Sequence, residues 1–203
     1  MKQTVLALGA VLVIGAAAAL AQDQVQQPTD EMMAEFVEMA RPGPEHERLA
    51  GYAGKWSATT LFWIAPGGDT MTIDGTQTNE MVLGGRFLMS NGKTSGGIVV
   101  GESLTLLGFD RRLGEYTMVT FDTWGTYYIT ARGKHDPETD VITLSGEDFD
   151  PLMNFTQEYY FRIRFVDEDT YTEELFFTDS VMTQGLGEFR MSETTYTRVT
   201  EDR

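Results

Sequence analysis

The chain has 203 residues and no cysteine, and its 31 Asp and Glu against 15 Lys and Arg leave a formal net charge of -16. The missing thiols exclude a disulfide framework, a thiolate metal site, a redox Cys pair and a Cys nucleophile. So acidic a surface repels phosphate backbones and anionic lipid, which argues against nucleic-acid or membrane-surface partners and favours solubility.

In chain order, the first 21 residues read as a targeting segment. Lys2 supplies a positive start, Val5 to Leu20 is an unbroken apolar run, and Ala19-Leu20-Ala21 is a small-residue cleavage site before polar Gln22-Asp23-Gln24. The run falls short of the ~20 apolar residues that a spanning helix needs. This pattern predicts a cleaved signal peptide over 1–21, export to the periplasm and no membrane contact after cleavage. Residues 22–28 are Gln-rich and predict a disordered linker. The length from 29 to 203 suits one domain with its own core. Thr29 is placed to cap a helix whose first turn carries Asp30 and Glu31. Met32, Met33, Phe36, Val37 and Ala40 follow at helical spacing. Arg41-Pro42-Gly43-Pro44 stops that helix, and Pro44 can open a second short one that ends at Gly51. Two short helices ahead of a sheet predict a lid or plug.

From Lys55 the period changes to two and β-formers dominate. The pattern predicts ten strands, at 55–64, 70–80, 86–94, 98–110, 115–122, 126–134, 140–147, 155–166, 170–179 and 188–199. Ala65-Pro66-Gly67-Gly68-Asp69, Asp110 to Gly114, Asp136 to Asp140 and Asp167-Glu168-Asp169 are turn clusters of hairpin length. None can hold the crossover that parallel strands require. The expected fold is therefore all-β, an antiparallel up-and-down meander that closes into a barrel and so removes its exposed edges. Thr117 to Phe121 and Tyr159 to Ile163 mix polar and apolar residues on both faces, as a lumen holding water or a ligand permits.

Three motifs carry a family resemblance. The first is Pro42-Gly43-Pro44-Glu45-His46 with Leu49-Ala50-Gly51 and Gly54-Lys55-Trp56. The second is Leu83-Gly84-Gly85-Arg86-Phe87-Leu88. The third is Gly108-Phe109-Asp110 with Tyr116, Asp122 and Gly125-Thr126. In this order and spacing they resemble the bacterial domain of unknown function family 1579, from about Pro42 to about Phe177. The resemblance implies a lipocalin-like (calycin) barrel and carries no catalytic residue. In the wider calycin group the Trp of Gly-x-Trp packs at the closed end under a basic residue from the last strand. Here that pair would be Trp56 and Arg198.

The candidate ligand-binding residues are Arg86, Glu80, Tyr128 and His46. Arg86 follows Gly84-Gly85, which reads as a bulge or sharp bend. It either reaches a ligand carboxylate with its bidentate fork or pairs with Glu80 or Asp122 in the wall. His46 either contacts a ligand from the plug or fixes the barrel end by hydrogen bonds, and His135 reads as a turn residue. Asn91-Gly92-Lys93-Thr94 lacks the first Gly of a P-loop. Glu147 to Asp150 lacks EF-hand spacing, and Gly101-Glu102-Ser103 is no nucleophile elbow. Neither metal nor cofactor is implied. The many strand aromatics, among them Trp63, Phe109, Phe121, Trp124 and Tyr159, predict a largely aromatic and Met cavity wall. The leading expectation is an exported barrel that binds a small apolar or amphipathic molecule. A filled structural or stress-response barrel, and an enzyme using Glu80, Asp122 or Tyr128 as acid–base groups, stand as alternatives.

Overall fold

A computed structural model of the chain describes residues 29–96 and 99–200. The expected signal segment and linker, 1–28, lie outside the described residues. The chain divides into two compact units between Glu38 and Met39, and helix α1 (Asp30–Met39) belongs, except for its last residue, to the first. The Thr29 hydroxyl accepts the Met32 amide at 3.2 Å, which caps α1 as expected.

The second unit holds helix α2 (Pro44–Ala50) and ten strands. These are β1 (Gly54–Trp63), β2 (Thr70–Val82), β3 (Phe87–Gly96), β4 (Val99–Asp110), β5 (Glu115–Asp122), β6 (Tyr128–Asp136), β7 (Val141–Asp150), β8 (Phe155–Asp167), β9 (Thr170–Phe177) and β10 (Phe189–Arg198). Each strand pairs antiparallel with the next, and β1 pairs with β10 to close the barrel. Observed limits follow the expected ones closely. β7 runs three residues further because Glu147 to Asp150 pair with Phe155 to Glu158 instead of looping out. Asp150 then caps the turn, accepting the Leu152 and Met153 amides.

The Gly84-Gly85 motif is a tight turn. Leu83, Gly84 and Gly85 have φ of 51°, 67° and 80°, three consecutive left-handed residues, which glycine adopts without strain. The Gly85 and Arg86 amides both return to the Val82 carbonyl.

α2 packs over the ends of β2, β3 and β4 as a plug. Pro44 opens it, its own Leu49 is wholly buried, and its Arg48 reaches Asp140 of the β6–β7 turn at 2.6 Å. Asp140 also meets His135 Nε2 at 2.7 Å, and these two partners, His135 first, hold its carboxyl below the usual range.

Closure between the chain's first and last strands rests on one cation and one indole. Trp56 and Arg198 are direct partners in the β1–β10 register. The Arg198 guanidinium lies 4.1 Å from the centroid of the Trp56 ring. The same guanidinium donates to the carbonyls of Gly51 (3.1 Å), Ala53 (2.8 Å) and Glu168 (2.7 Å). The rigid fork thus ties together two chain segments, the loop after α2 and the β8–β9 turn. Gly54 is required here twice over. Its φ is 139°, and a Cβ at this position would lie 2.5 Å from Arg198 Nη1. Trp56 is buried, and its indole N–H donates to the Tyr52 carbonyl at 3.0 Å. We expect Trp56→Ala to destabilise the protein by ~3–5 kcal/mol, the usual cost of emptying a large aromatic site. Urea unfolding of both proteins measures this, and a loss below ~1 kcal/mol would show that the closure does not depend on the indole.

Candidate functional site

Strand alternation sets which side chains reach the lumen. On β2 the inward set is Ile73, Gln77, Asn79 and Met81; on β9 it is Tyr171, Glu173, Leu175 and Phe177. The lumen holds two adjoining chambers. The inner one, of about 170 Å³, lies on the plug side and is lined by Tyr52, Gln77, Asn79, Leu88, Ser103, Thr120, Phe161, Tyr171, Glu173 and Tyr196, among others. The outer one, of about 190 Å³, runs from the shared wall residues Gln77, Ser103, Thr120 and Tyr196 toward Gly101, Asp122 and Trp124.

The floor of the inner chamber is an aromatic and amide cluster standing on Trp56. Tyr171 meets Trp56 edge-on (4.7 Å between centroids, 85°), meets Tyr52 edge-on (5.1 Å) and stacks on Tyr196 (4.2 Å, 12°). Gln77 Nε2 donates to the Tyr171 hydroxyl oxygen at 2.7 Å, and Asn79 Nδ2 donates to the same oxygen at 3.2 Å. Asn79 also donates to the Tyr52 carbonyl, and its own Oδ1 accepts from Gln77. The Tyr171 oxygen thus has both lone pairs engaged and retains its proton to donate. Burial holds the Tyr52, Tyr171 and Tyr196 hydroxyls far above their usual pKa, so all three stay neutral donors.

Glu173 differs from every other group in the chamber. It stands opposite Ile163 on β8 and Thr194 on β10. Its carboxyl makes no hydrogen bond and no ion pair among the described residues. The surface it exposes faces the chamber, while protein encloses it on the other sides. That burial alone pushes its pKa up to about 7. The next residue, Glu174, points outward and pairs with Arg190 at 3.0 Å. Glu173 is thus the functional candidate that the sequence reading missed. The available signal was parity: Glu173 shares its face with Tyr171, Leu175 and Phe177.

None of the four sequence-derived site residues lines either chamber. Arg86 is exposed, and its guanidinium donates to the carbonyls of Ala40 (3.1 Å) and Leu83 (3.1 Å), so it ties the α2 approach to the β2–β3 turn. Neither Glu80 nor Asp122 pairs with it. Glu80 faces outward because Asn79 and Met81 take the inward positions. Tyr128 is exposed at the start of β6 and leans on Phe121 at 5.6 Å. His46 is buried in the plug, where Nδ1 accepts the Gly43 amide at 3.0 Å and the ring meets Phe109 edge-on. Desolvation, ahead of its charged neighbours, lowers its pKa, so it is neutral at pH 7. Asp122, the earlier acid–base candidate, does reach the outer chamber wall, where it accepts the Trp124 amide at 2.8 Å.

The wall is also less aromatic than expected. Phe109, Tyr116, Tyr159 and Phe177 belong to the packed core, and Phe121, Tyr127 and Tyr128 are exposed around the β5–β6 hairpin, whose Trp124 does reach the outer chamber. Ser, Thr, Gly and amide side chains supply much of the lumen instead. Among the described residues no group of three or more His, Asp or Glu is placed to hold a metal ion.

A solved structure similar in fold is that of the S-type phycobiliprotein lyase CPES from Guillardia theta. It is 12% identical, covers 86% of this chain and 100% of its own, and superposes with a TM-score of 0.51. At that identity the likeness is one of architecture. No curated protein matches the chain. The family described as "Protein of unknown function (DUF1579)" matches residues 41–198, from the turn before α2 to Arg198 at the end of the last strand. With the plug, the Gly-x-Trp strand and its covering arginine all inside that match, the chain belongs to the DUF1579 family.

Proposed function

We propose that the protein is an exported barrel that binds a small apolar or amphipathic molecule in its lumen. The observation that carries this reading is a lumen with room in it: two adjoining chambers inside a closed wall, with polar groups left unengaged. A filled structural barrel would satisfy those groups internally. Each chamber alone is smaller than the ~300–1,000 Å³ usual for ligand pockets. Their shared wall at Gln77, Ser103, Thr120 and Tyr196 supports one ligand reaching through both. Arg86 plays no part in this reading, since its guanidinium is engaged at the plug end. Lys2, the apolar run and Ala19-Leu20-Ala21 support export.

A second reading rests on Glu173. A lumen carboxyl that titrates near neutrality suits a general acid or base. An enzyme of this kind would convert its lumen ligand, and would lose turnover but not binding in Glu173→Gln.

Three outcomes test these statements. First, the uncharged dye N-phenyl-1-naphthylamine should bind the native protein and fluoresce, and Thr120→Phe, which fills the shared wall, should weaken it at least about tenfold. Unchanged dye binding in that variant would place the site elsewhere. Second, Glu173 should make stability pH-dependent. Its folded pKa, about 7, lies above the ordinary glutamate value of ~4.3. Below ~4 both folded and unfolded states hold the proton and the group has no effect. As pH rises toward 7 only the folded state keeps it, so stability falls, and above 7 the penalty levels at roughly 3–4 kcal/mol. Glu173→Gln should therefore match the wild type at pH 4 and exceed it by that amount at pH 8 in urea unfolding. Third, protein recovered from the periplasm should start at Gln22 by intact mass; retention of Met1 would contradict export with cleavage.

A further inference from the structure

We infer that the lumen is built for a cationic amphiphile, a protonated amine or similar basic nitrogen on an apolar body, with its head against the Glu173 carboxylate. The inference rests on the binding-barrel reading and specifies its ligand class. Glu173 is the one carboxyl among the residues lining the inner chamber, and no Lys, Arg or His lines it. The titratable groups that line the chamber with Glu173 are Tyr171 on its own strand, Tyr196 on β10 and Tyr52 from the loop after the plug, all neutral. From β8 comes apolar Ile163, and the lining positions of β2, β3, β4, β5 and β6 are uncharged. A carboxylate placed there lacks the counter-charge that buried carboxylates otherwise have.

The ligand classes then separate by chemistry. An organic anion would sit beside a like charge with no cation to offset it. A neutral ligand would leave the carboxylate unpaired or protonated. A cation supplies the missing partner, and the tyrosine rings around it offer favourable faces. The approach has the same sign. Asp122 sits on the outer chamber wall with Asp74 and Glu102, and the one cation there, Lys93, is already paired with Glu102 at 2.8 Å. With a net charge of -16, the molecule as a whole draws cations toward its lumen. Protons compete for the same carboxyl, so amine binding should weaken as pH falls below 7.

Displacement of N-phenyl-1-naphthylamine by three ligands of equal chain length tests this: n-octylamine, 1-octanol and octanoate. At pH 8 the amine should displace the dye at a concentration about tenfold or more below that of the alcohol, with octanoate weakest. At pH 5.5 the amine's advantage should shrink. In Glu173→Gln it should vanish while dye and octanol still bind. Equal displacement by amine and alcohol, preference for octanoate, or no displacement by any of the three from a dye-bound protein would overturn the inference and leave the binding barrel standing. An amine preference that survives in Glu173→Gln would trace to overall charge, and overturns the assignment to Glu173. No dye binding at all would overturn the barrel reading and this inference with it.

Discussion

The contact between Arg198 and Trp56 is the one on which the rest of the barrel depends. Nine of the ten strand pairings join neighbours in sequence, and their turns bring them together. The tenth joins the two ends of the sheet, and Arg198 there grips a carbonyl 145 residues away in sequence. Closing so long a segment carries the largest entropic cost of any pairing in the fold. A single guanidinium offsets it by acting on three carbonyls and an indole face together, while Gly54 clears the space it needs. The pair also fixes register, because Trp56 and Arg198 are direct partners across the seam. A slip of one residue would turn the lumen side chains of one of the two strands outward.

The same indole determines where the cavity ends. Its N–H holds the Tyr52 carbonyl, and that carbonyl also accepts from Asn79. Tyr171 stands edge-on against the ring and carries the Gln77–Asn79 network above it. Closure, plug and chamber floor are thus one connected cluster. A change at the floor should be felt at the seam, and its effects on binding and on stability will not be additive. Glu173 stands two residues from Tyr171 on the same face, above this rigid base. The carboxyl is therefore positioned by strand geometry and not by a partner of its own.

Much of the architecture was legible because turns announce themselves. Ala65 to Asp69, Asp110 to Gly114 and Asp136 to Asp140 are rich in Gly, Pro and Asp, and these types fold back locally whatever the rest of the chain does. The Trp56–Arg198 pairing was legible only through the family resemblance. The site was harder to read because it depends on parity. Glu80 and Asn79 are adjacent, as are Glu173 and Glu174, and in each pair one faces the lumen and the other the solvent. Composition cannot separate them, and the uneven alternation on these strands blurs the phase. Arg86 turns away from the lumen for a different reason. Three left-handed residues before it reverse the chain and aim its side chain at nearby carbonyls, a path that depends on backbone angles. The exposed aromatics at the β5–β6 hairpin show the converse. Bulky rings suit a strand on either face, so abundance alone did not predict a lining.

Glu173 is also the place where the chain departs from its own pattern. Elsewhere it deals with acid in ordinary ways: Glu174 pairs with Arg190, Glu102 with Lys93, Asp110 with Arg112, and Asp122 and Asp150 cap turns. An apolar residue at 173 would continue the series Tyr171, Leu175, Phe177 and remove the desolvation penalty altogether. An enclosed carboxyl without a partner, in a cavity where such a replacement would fit the pattern, is the kind of local conflict that folded chains keep where something other than folding requires it. On the proposed binding reading, this one side chain is the difference between a barrel with spare room and a barrel with a site.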